Sequence, residues 1–161
     1  IYSFKTLNLK TRDIKNSKNF KQSSRCKKIL NIEMKELNKN LFNKFNLNIL
    51  NESKKLNNKL LQFKKNKKFV IGYGAPARVA TITNYLKINS KFINYIIDDS
   101  PLKQNKYSPG SHIKIVAMNK LNISKVDIVI VFAYEYFSDI RKKFKSKKIK
   151  FFKPIPFKKL S

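Results

Sequence analysis

The feature that most constrains this chain is a glycine turn between a short apolar run and a segment of helical period. Residues 69–71 lead directly into Gly72-Tyr73-Gly74, and apolar residues recur at helical spacing over residues 75–86. This order is typical of a nucleotide-binding α/β unit, where the glycines let the backbone approach a ligand and the helix start favours an anion. A tight strand-to-helix turn without a ligand fits the same pattern about equally well.

A second apolar run, residues 92–97, ends on Asp98 and Asp99. Asp98 follows Gly74 by 24 residues, near the offset of about 20 residues at which a Rossmann unit places a carboxylate on a ribose. The loop over residues 100–112 exceeds the usual length of about 2–6 residues, which indicates a functional loop. Its side chains suit a diphosphate, sugar hydroxyls or a partner domain, and they include Lys103, Gln104, Tyr107 and His112.

Further strands are predicted at residues 113–116, 126–133 and 149–152, with a helix over residues 134–144 between the last two. Strands that alternate with helices predict an α/β, Rossmann-like parallel sheet of about five strands over residues 66–161. The predicted inner face of the helix consists of Tyr136, Phe137, Ile140 and Phe144. Pro154 and Pro156 are predicted to end regular structure.

Residues 23–65 carry two apolar stripes of helical period, which predict a two-helix connector that packs on the α/β unit. The first stripe is Cys26, Leu30, Met34, Leu37, Leu41 and Phe45, and the second is Ile49, Ser53, Leu56, Leu60 and Phe63. The predicted break lies at residues 46–48. Residues 1–22 have no sustained period, so we expect an irregular segment, a short strand at residues 2–9, or the remnant of a preceding domain.

The formal charge of +28 invites a nucleic-acid function, but the composition disfavours it. The cations are 33 Lys and 4 Arg, beside 19 Asn and 19 Ile, as expected where an AT-rich genome biases exposed positions. Base-reading proteins rely on Arg for its bidentate geometry. We therefore expect a solvated lysine surface that binds nucleic acid only weakly.

Cys26 is the only cysteine and His112 the only histidine, so we expect no internal disulfide and no Cys/His metal site. Cys26 is predicted to be a small core residue. No apolar run approaches the roughly 20 residues that span a bilayer, and no signal peptide is visible, so we expect a cytoplasmic protein without membrane contact. The sequence starts at Ile1, which fits a fragment of a longer chain.

Three stretches resemble the C-terminal domain of S-adenosylmethionine-dependent sugar C-methyltransferases. They are residues 72–78 (GYGAPAR), 95–104 (YIIDDSPLKQ) and 107–113 (YSPGSHI). The resemblance covers roughly residues 37–152. It departs from the family pattern at Arg78, where Lys is usual, at Asn105, where Gly is common, and at Lys114, where Pro is common. Tyr134-Glu135 stands in place of Trp-Asn, which puts any contact of that pair in doubt.

The resemblance implies a substrate-binding or structural domain for a nucleotide-linked sugar, typically a dTDP-4-keto-6-deoxy sugar. It places the S-adenosylmethionine site and the catalytic base in a preceding domain of the parent chain, so no residue here is expected to be catalytic, to bind a metal or to hold a cofactor. The residues that we expect to contact the substrate are Gly72, Tyr73, Gly74, Ala75, Pro76, Arg78, Asp98, Ser100, Lys103, Gln104, Tyr107, Gly110 and His112.

Two alternatives remain open. One is a stand-alone module that binds a nucleotide or a nucleotide-sugar. The other is an NAD-binding, oxidoreductase-like domain, favoured by Gly72, Gly74, Ala77 and Asp98 but lacking a Tyr/Lys or Cys/His catalytic set.

Overall fold

The structure is a computed structural model that describes residues 24–37, 39–146 and 148–161. The chain divides into two units between Phe45 and Asn46. The first unit contains helix α1 (Ser24–Glu36) and the start of helix α2 (Lys39–Lys65), which continues into the second unit. The irregular segment at residues 1–22, with its predicted strand at residues 2–9, lies outside the described residues.

The second unit is built on one six-stranded sheet with the order β3-β2-β1-β4-β5-β6. Its strands are β1 (Val70–Tyr73), β2 (Tyr95–Ile97), β3 (Ile115–Val116), β4 (Ile128–Val131), β5 (Lys150–Lys153) and β6 (Lys158–Leu160). The first five strands are parallel, and β6 is antiparallel to β5. The predicted α/β, Rossmann-like fold is confirmed.

Helices cover both faces of this sheet and bury a separate core on each. On one face, α2 and helix α3 (Ala77–Tyr85) bury Leu56, Leu60 and Val79 against the sheet. On the other face, helix α4 (Phe137–Lys142) and the chain after it bury Ile140 and Phe144. Strand β4 is buried along its whole length, which explains its uninterrupted apolar sequence. Each such side chain contributes about 1.5–3 kcal/mol of burial free energy.

The predicted helix break at residues 46–48 is wrong, because α2 runs unbroken from Lys39 to Lys65. Asparagine inside a helix costs only a few tenths of a kcal/mol, so Asn46 and Asn48 do not end it. The second stripe is buried as predicted at Ser53, Leu56, Leu60 and Phe63. The first stripe is exposed, and Cys26 is an exposed residue rather than a core residue. Helical spacing shows which residues share a face, but not whether that face is covered.

The other differences from prediction fall at element ends. Pro154 and Pro156 do not end regular structure, because residues 154–157 form a turn from which the chain returns as β6. The predicted helix over residues 134–144 is a 3-10 turn (Tyr134–Tyr136) followed by α4, and Tyr136 is exposed. Pro76 precedes α3 as its N-cap residue. No helix in the described part of the chain is long and apolar enough to cross a membrane.

Candidate functional site

The candidate site lies at the carboxyl edge of the sheet, where the strand order reverses. Strand β1 pairs with β2 on one side and with β4 on the other. Helix α3, which follows β1, covers one face of the sheet, and helix α4, which follows β4, covers the other face. Open α/β sheets bind ligands in the crevice at this switch point. The glycine turn begins within β1, which contains Gly72 and Tyr73, and Gly74 follows the strand. Asp98 follows β2, and Tyr134 and Glu135 follow β4. Three of the sequence motifs therefore meet at one edge.

The two glycines of the turn are required by close packing between β1 and the chain after β4. Gly74 has a φ of +82°, and a Cβ added there would lie 2.5 Å from the Cβ of Ala133. A Cβ on Gly72 would lie 2.9 Å from the ring of Phe132 and 3.0 Å from Ile96. Close packing therefore accounts for glycine at both positions, whether or not a ligand binds there.

Asp98 fastens the glycine turn to the 100–112 loop. Its side chain is buried, and Oδ2 accepts a 2.6 Å hydrogen bond from the backbone N–H of Ala75. Oδ1 accepts from the backbone N–H of Ser100 at 2.9 Å, and Lys103 Nζ lies 3.4 Å from Oδ2. A phosphate at this turn would compete with a carboxylate for the same N–H and would be repelled by its charge. This arrangement disfavours a dinucleotide pyrophosphate at Ala75.

Polar groups of the 100–112 loop bond to the loop itself and to the chain at the ends of β2 and β3. Gln104 Nε2 donates to the Asp98 carbonyl oxygen at 2.9 Å. The Asn105 N–H donates to the Ile115 carbonyl oxygen at 2.8 Å. Ser108 and Ser111 are buried with their hydroxyl oxygens 2.6 Å apart. The loop is therefore anchored by hydrogen bonds to the residues that flank it and by a bond within it.

Backbone conformation explains two further residues of the loop. Asn105 has a φ of +62°, the left-handed region that Asn tolerates and Gly favours, which accounts for Asn where the family commonly has Gly. Gly110 has a φ of +75°, and a Cβ there would collide with the side chain of Asn84 on α3. Asn84 Nδ2 in turn donates to the Pro109 carbonyl oxygen at 3.0 Å. The sequence does not predict this contact, because nothing about Asn84 except its helical position indicates what it touches.

Among the predicted loop residues, Lys103, Tyr107 and His112 have exposed side chains. They are the members of the motif that remain accessible to a substrate or a partner domain. Ala75 and Pro76 are half-buried at the start of α3. The structure thus leaves these three expected contact residues accessible, and Lys103 is in addition paired with Asp98.

A second group, which we name the switch-point cluster, consists of Arg78, Tyr134, Glu135 and Lys153. Arg78 Nη1 lies 2.5 Å from Glu135 Oε1, and the Arg78 guanidinium carbon lies 4.7 Å from the centre of the Tyr134 ring. Lys153 Nζ lies 3.9 Å from the same ring centre. The bond to Glu135 raises the pKa of Arg78, and Glu135's own backbone N–H together with Arg78 lowers the pKa of Glu135.

The sequence indicates this cluster only indirectly. Arg78 and Glu135 are both departures from the family pattern, and the structure shows that they contact each other. Tyr134, at the usual Trp position, keeps an aromatic ring to which two cations bind. Lys153 was missed, since nothing distinguishes it among 33 lysines.

Tyr73 belongs to a third group, on the face of the sheet that α4 covers. Its ring is buried against Phe144, and its hydroxyl donates to Asp99 Oδ1 at 3.0 Å. Lys143 Nζ donates to Asp99 Oδ2 at 2.7 Å and to the Tyr73 hydroxyl at 3.0 Å. Burial raises the pKa of Tyr73, so the phenol stays protonated at neutral pH and does not serve as a base.

A groove of about 470 Å³ lies at the opposite, amino edge of the sheet, away from the motifs. Its lining includes Lys59, Phe63, Lys68, Asp127 and Lys150. Lys68 is already paired with Asp127 at 2.9 Å. In the described part of the chain, no three His, Cys, Asp or Glu residues are grouped so that they could hold a metal ion.

Comparison with known protein families shows which family this chain belongs to. A model of the C-methyltransferase C-terminal domain matches residues 8–156 of the chain, which includes the whole carboxyl edge. The chain belongs to this family. No curated protein matches it. As a C-methyltransferase C-terminal domain, the chain has its role within a methyltransferase, and the resemblance carried by the glycine turn and the loop is confirmed.

Proposed function

We propose that this C-methyltransferase C-terminal domain helps to hold a nucleotide-linked 4-keto-deoxy sugar, of the dTDP type, for a methyl-transfer domain in the same parent chain. The observation that carries the proposal is the family match combined with accessible cations at the switch point. Three separate segments bring cations to the carboxyl edge, namely the start of α3 with Arg78, the loop after β2 with Lys103, and the end of β5 with Lys153. Cations of this kind suit a diphosphate, because their hydrogen bonds to phosphate oxygens are charge-assisted.

Methylation of a carbon beside a ketone needs a base that removes the acidic proton, and a methyl donor. S-adenosylmethionine supplies the methyl group. The glycine turn does not fit that donor, because its Ala75 N–H is bonded to Asp98 and the Asp98 carboxylate already has three donors. The protonated Tyr73 and the exposed His112 are not paired into a base within the described residues. We therefore assign the chemistry to the other domain and substrate orientation to this one.

Titration calorimetry of the purified chain tests the proposal, with dTDP, UDP, NADH and S-adenosylmethionine as ligands. Each titration is run at low salt and at about 0.3 M salt, because a net charge of +28 attracts any anion and salt screens that attraction. We expect dTDP or UDP to retain binding at the higher salt, and S-adenosylmethionine to show none. Salt-resistant binding of NADH alone would support the oxidoreductase alternative instead.

The side chains are tested by replacing Arg78 and Lys103 together with alanine. We expect nucleotide affinity to fall about tenfold or more, as for the loss of charge-assisted bonds. The matched control replaces Lys120 and Lys125, two exposed lysines in the short turns before β4. Equal affinity of the two double variants would overturn the proposal, since only net charge would then matter.

A further inference from the structure

The switch-point cluster combines two cations and one carboxylate around a single aromatic ring. The Arg78 side chain is 37% exposed and that of Glu135 is 44% exposed, so both charges are accessible to a ligand. Lys153 is half-buried and lies over Tyr134, whereas most lysines of the second unit are exposed. A cation held against a ring has lost part of its hydration and rotamer freedom before any ligand arrives.

The charges of the cluster are not balanced. Glu135 pairs with Arg78, and no ion pair of Lys153 with a carboxylate is found in the described part of the chain. Lys153 still acts on Glu135, because it contributes to lowering the pKa of that carboxylate. Two cations therefore face one anion. Glu135 is bonded to the planar guanidinium of Arg78, which would otherwise be able to bind two phosphate oxygens.

We propose that the switch-point cluster is the diphosphate site of this domain, and that Glu135 is an internal counter-ion which the ligand's diphosphate displaces from Arg78. This inference rests on the proposed function and names the residues that perform it. Lys153 binds the second phosphoryl group, and Tyr134 holds both cations at fixed positions by its ring. Glu135 thereby lowers the affinity for weaker anions, because every ligand must first break the ion pair with Arg78.

The test is a set of titrations with inorganic pyrophosphate and with dTDP at about 0.3 M salt, at which distant charges are screened. Glu135→Gln is compared with Asp139→Asn, which removes the same charge from an exposed ion pair on α4. We expect Glu135→Gln to bind both ligands about 1.5- to 5-fold tighter than the wild type, as for the loss of one exposed ion pair. Asp139→Asn should leave both affinities unchanged.

Lys153→Ala is compared with Lys150→Ala, which removes a lysine from the other end of the same strand. We expect only Lys153→Ala to weaken binding, by about tenfold. Tyr134→Phe should preserve affinity and Tyr134→Ala should lower it, since phenylalanine keeps the ring face. Thermal unfolding of each variant separates loss of binding from loss of fold.

The two proposals fail in different ways. If dTDP binds at high salt but Glu135→Gln matches Asp139→Asn and Lys153→Ala matches Lys150→Ala, the nucleotide function stands and the cluster is not its site. If pyrophosphate follows the predicted pattern but dTDP binds no better than pyrophosphate, the anion site stands and nucleotide binding does not. If no variant binds either ligand, both proposals are overturned.

Discussion

The 100–112 loop and the switch-point cluster both adjoin the carboxyl edge, but they use their polar residues in opposite ways. Ser108 and Ser111 of the loop, and Asp98 just before it, are buried and bond to the chain around them, and Gln104 is half-buried and donates to the Asp98 carbonyl oxygen. In the cluster, charges remain accessible and imperfectly balanced. The sequence motif of the loop therefore largely specifies how the carboxyl edge is held together. The accessible charged side chains include Arg78 and Glu135, which depart from the family pattern.

The largest expected effect is the loss of stability when Asp98, one of the internally bonded residues, is replaced. Asp98→Ala leaves the Ala75 and Ser100 N–H groups without their acceptor, and we expect a loss of roughly 3 kcal/mol in the free energy of unfolding. The control is Asp99→Asn at the next, exposed position, with an expected loss below about 1 kcal/mol. Urea unfolding measures both. Equal losses would mean that Asp98 does not fasten the turn to the loop.

Gly110 gives the next largest effect. Gly110→Ala forces a side chain into the left-handed region and against Asn84, and we expect a loss of about 1–3 kcal/mol. In an Asn84→Ala background the steric part disappears and only the cost of the positive φ remains. A double-mutant cycle measured by urea unfolding should therefore show coupling between the two positions. Strict additivity would show that α3 does not support the loop through this contact.

Asn105 should have a smaller effect, set by its backbone conformation. Asn105→Ala is expected to lose about 1 kcal/mol, because alanine is less suited to a φ of +62°. Asn105→Gly should stay within about 0.5 kcal/mol of the wild type, since glycine accepts that conformation. A larger loss for glycine than for alanine would contradict the conformational explanation of this departure from the family pattern.

The smallest effect concerns the third group, which consists of Tyr73, Asp99 and Lys143. Hydrogen bonds to Asp99 and Tyr73 raise the pKa of Lys143, and burial raises the pKa of Tyr73. Raised folded-state pKa values add stability that is present below the unfolded values of about 10, and that is lost as pH rises through the folded ones. The free energy of unfolding measured in urea should therefore fall as pH rises above about 10. We expect Tyr73→Phe to make that fall smaller by less than about 1 kcal/mol, because Lys143 and Asp99 are largely exposed. An unchanged pH profile would rule out this contribution.

Much of the fold follows from the sequence. The glycine turn predicts the strand-to-helix connection. The apolar run of β4 and the stripe from Ser53 to Phe63 predict burial, because periodicity and composition encode it locally. The exposure of Cys26 and the return of the chain as β6 depend on what lies opposite in space, which spacing does not encode. The same limit applies to the site. The role of Asp98 depends on its distance to Ala75, and the role of Lys153 depends on where β5 ends beside Tyr134.

The measurement that tests the central claim most directly is a titration of the ¹⁵N-labelled chain with dTDP at about 0.3 M salt, followed by amide chemical shifts. The account predicts that the shifted amides centre on residues 75–78, 133–135 and 153, around the switch-point cluster. Smaller changes should occur at the internally bonded residues of the 100–112 loop. Shifts spread over the exposed lysines, or centred on the groove beside Lys59 and Lys150, would contradict it.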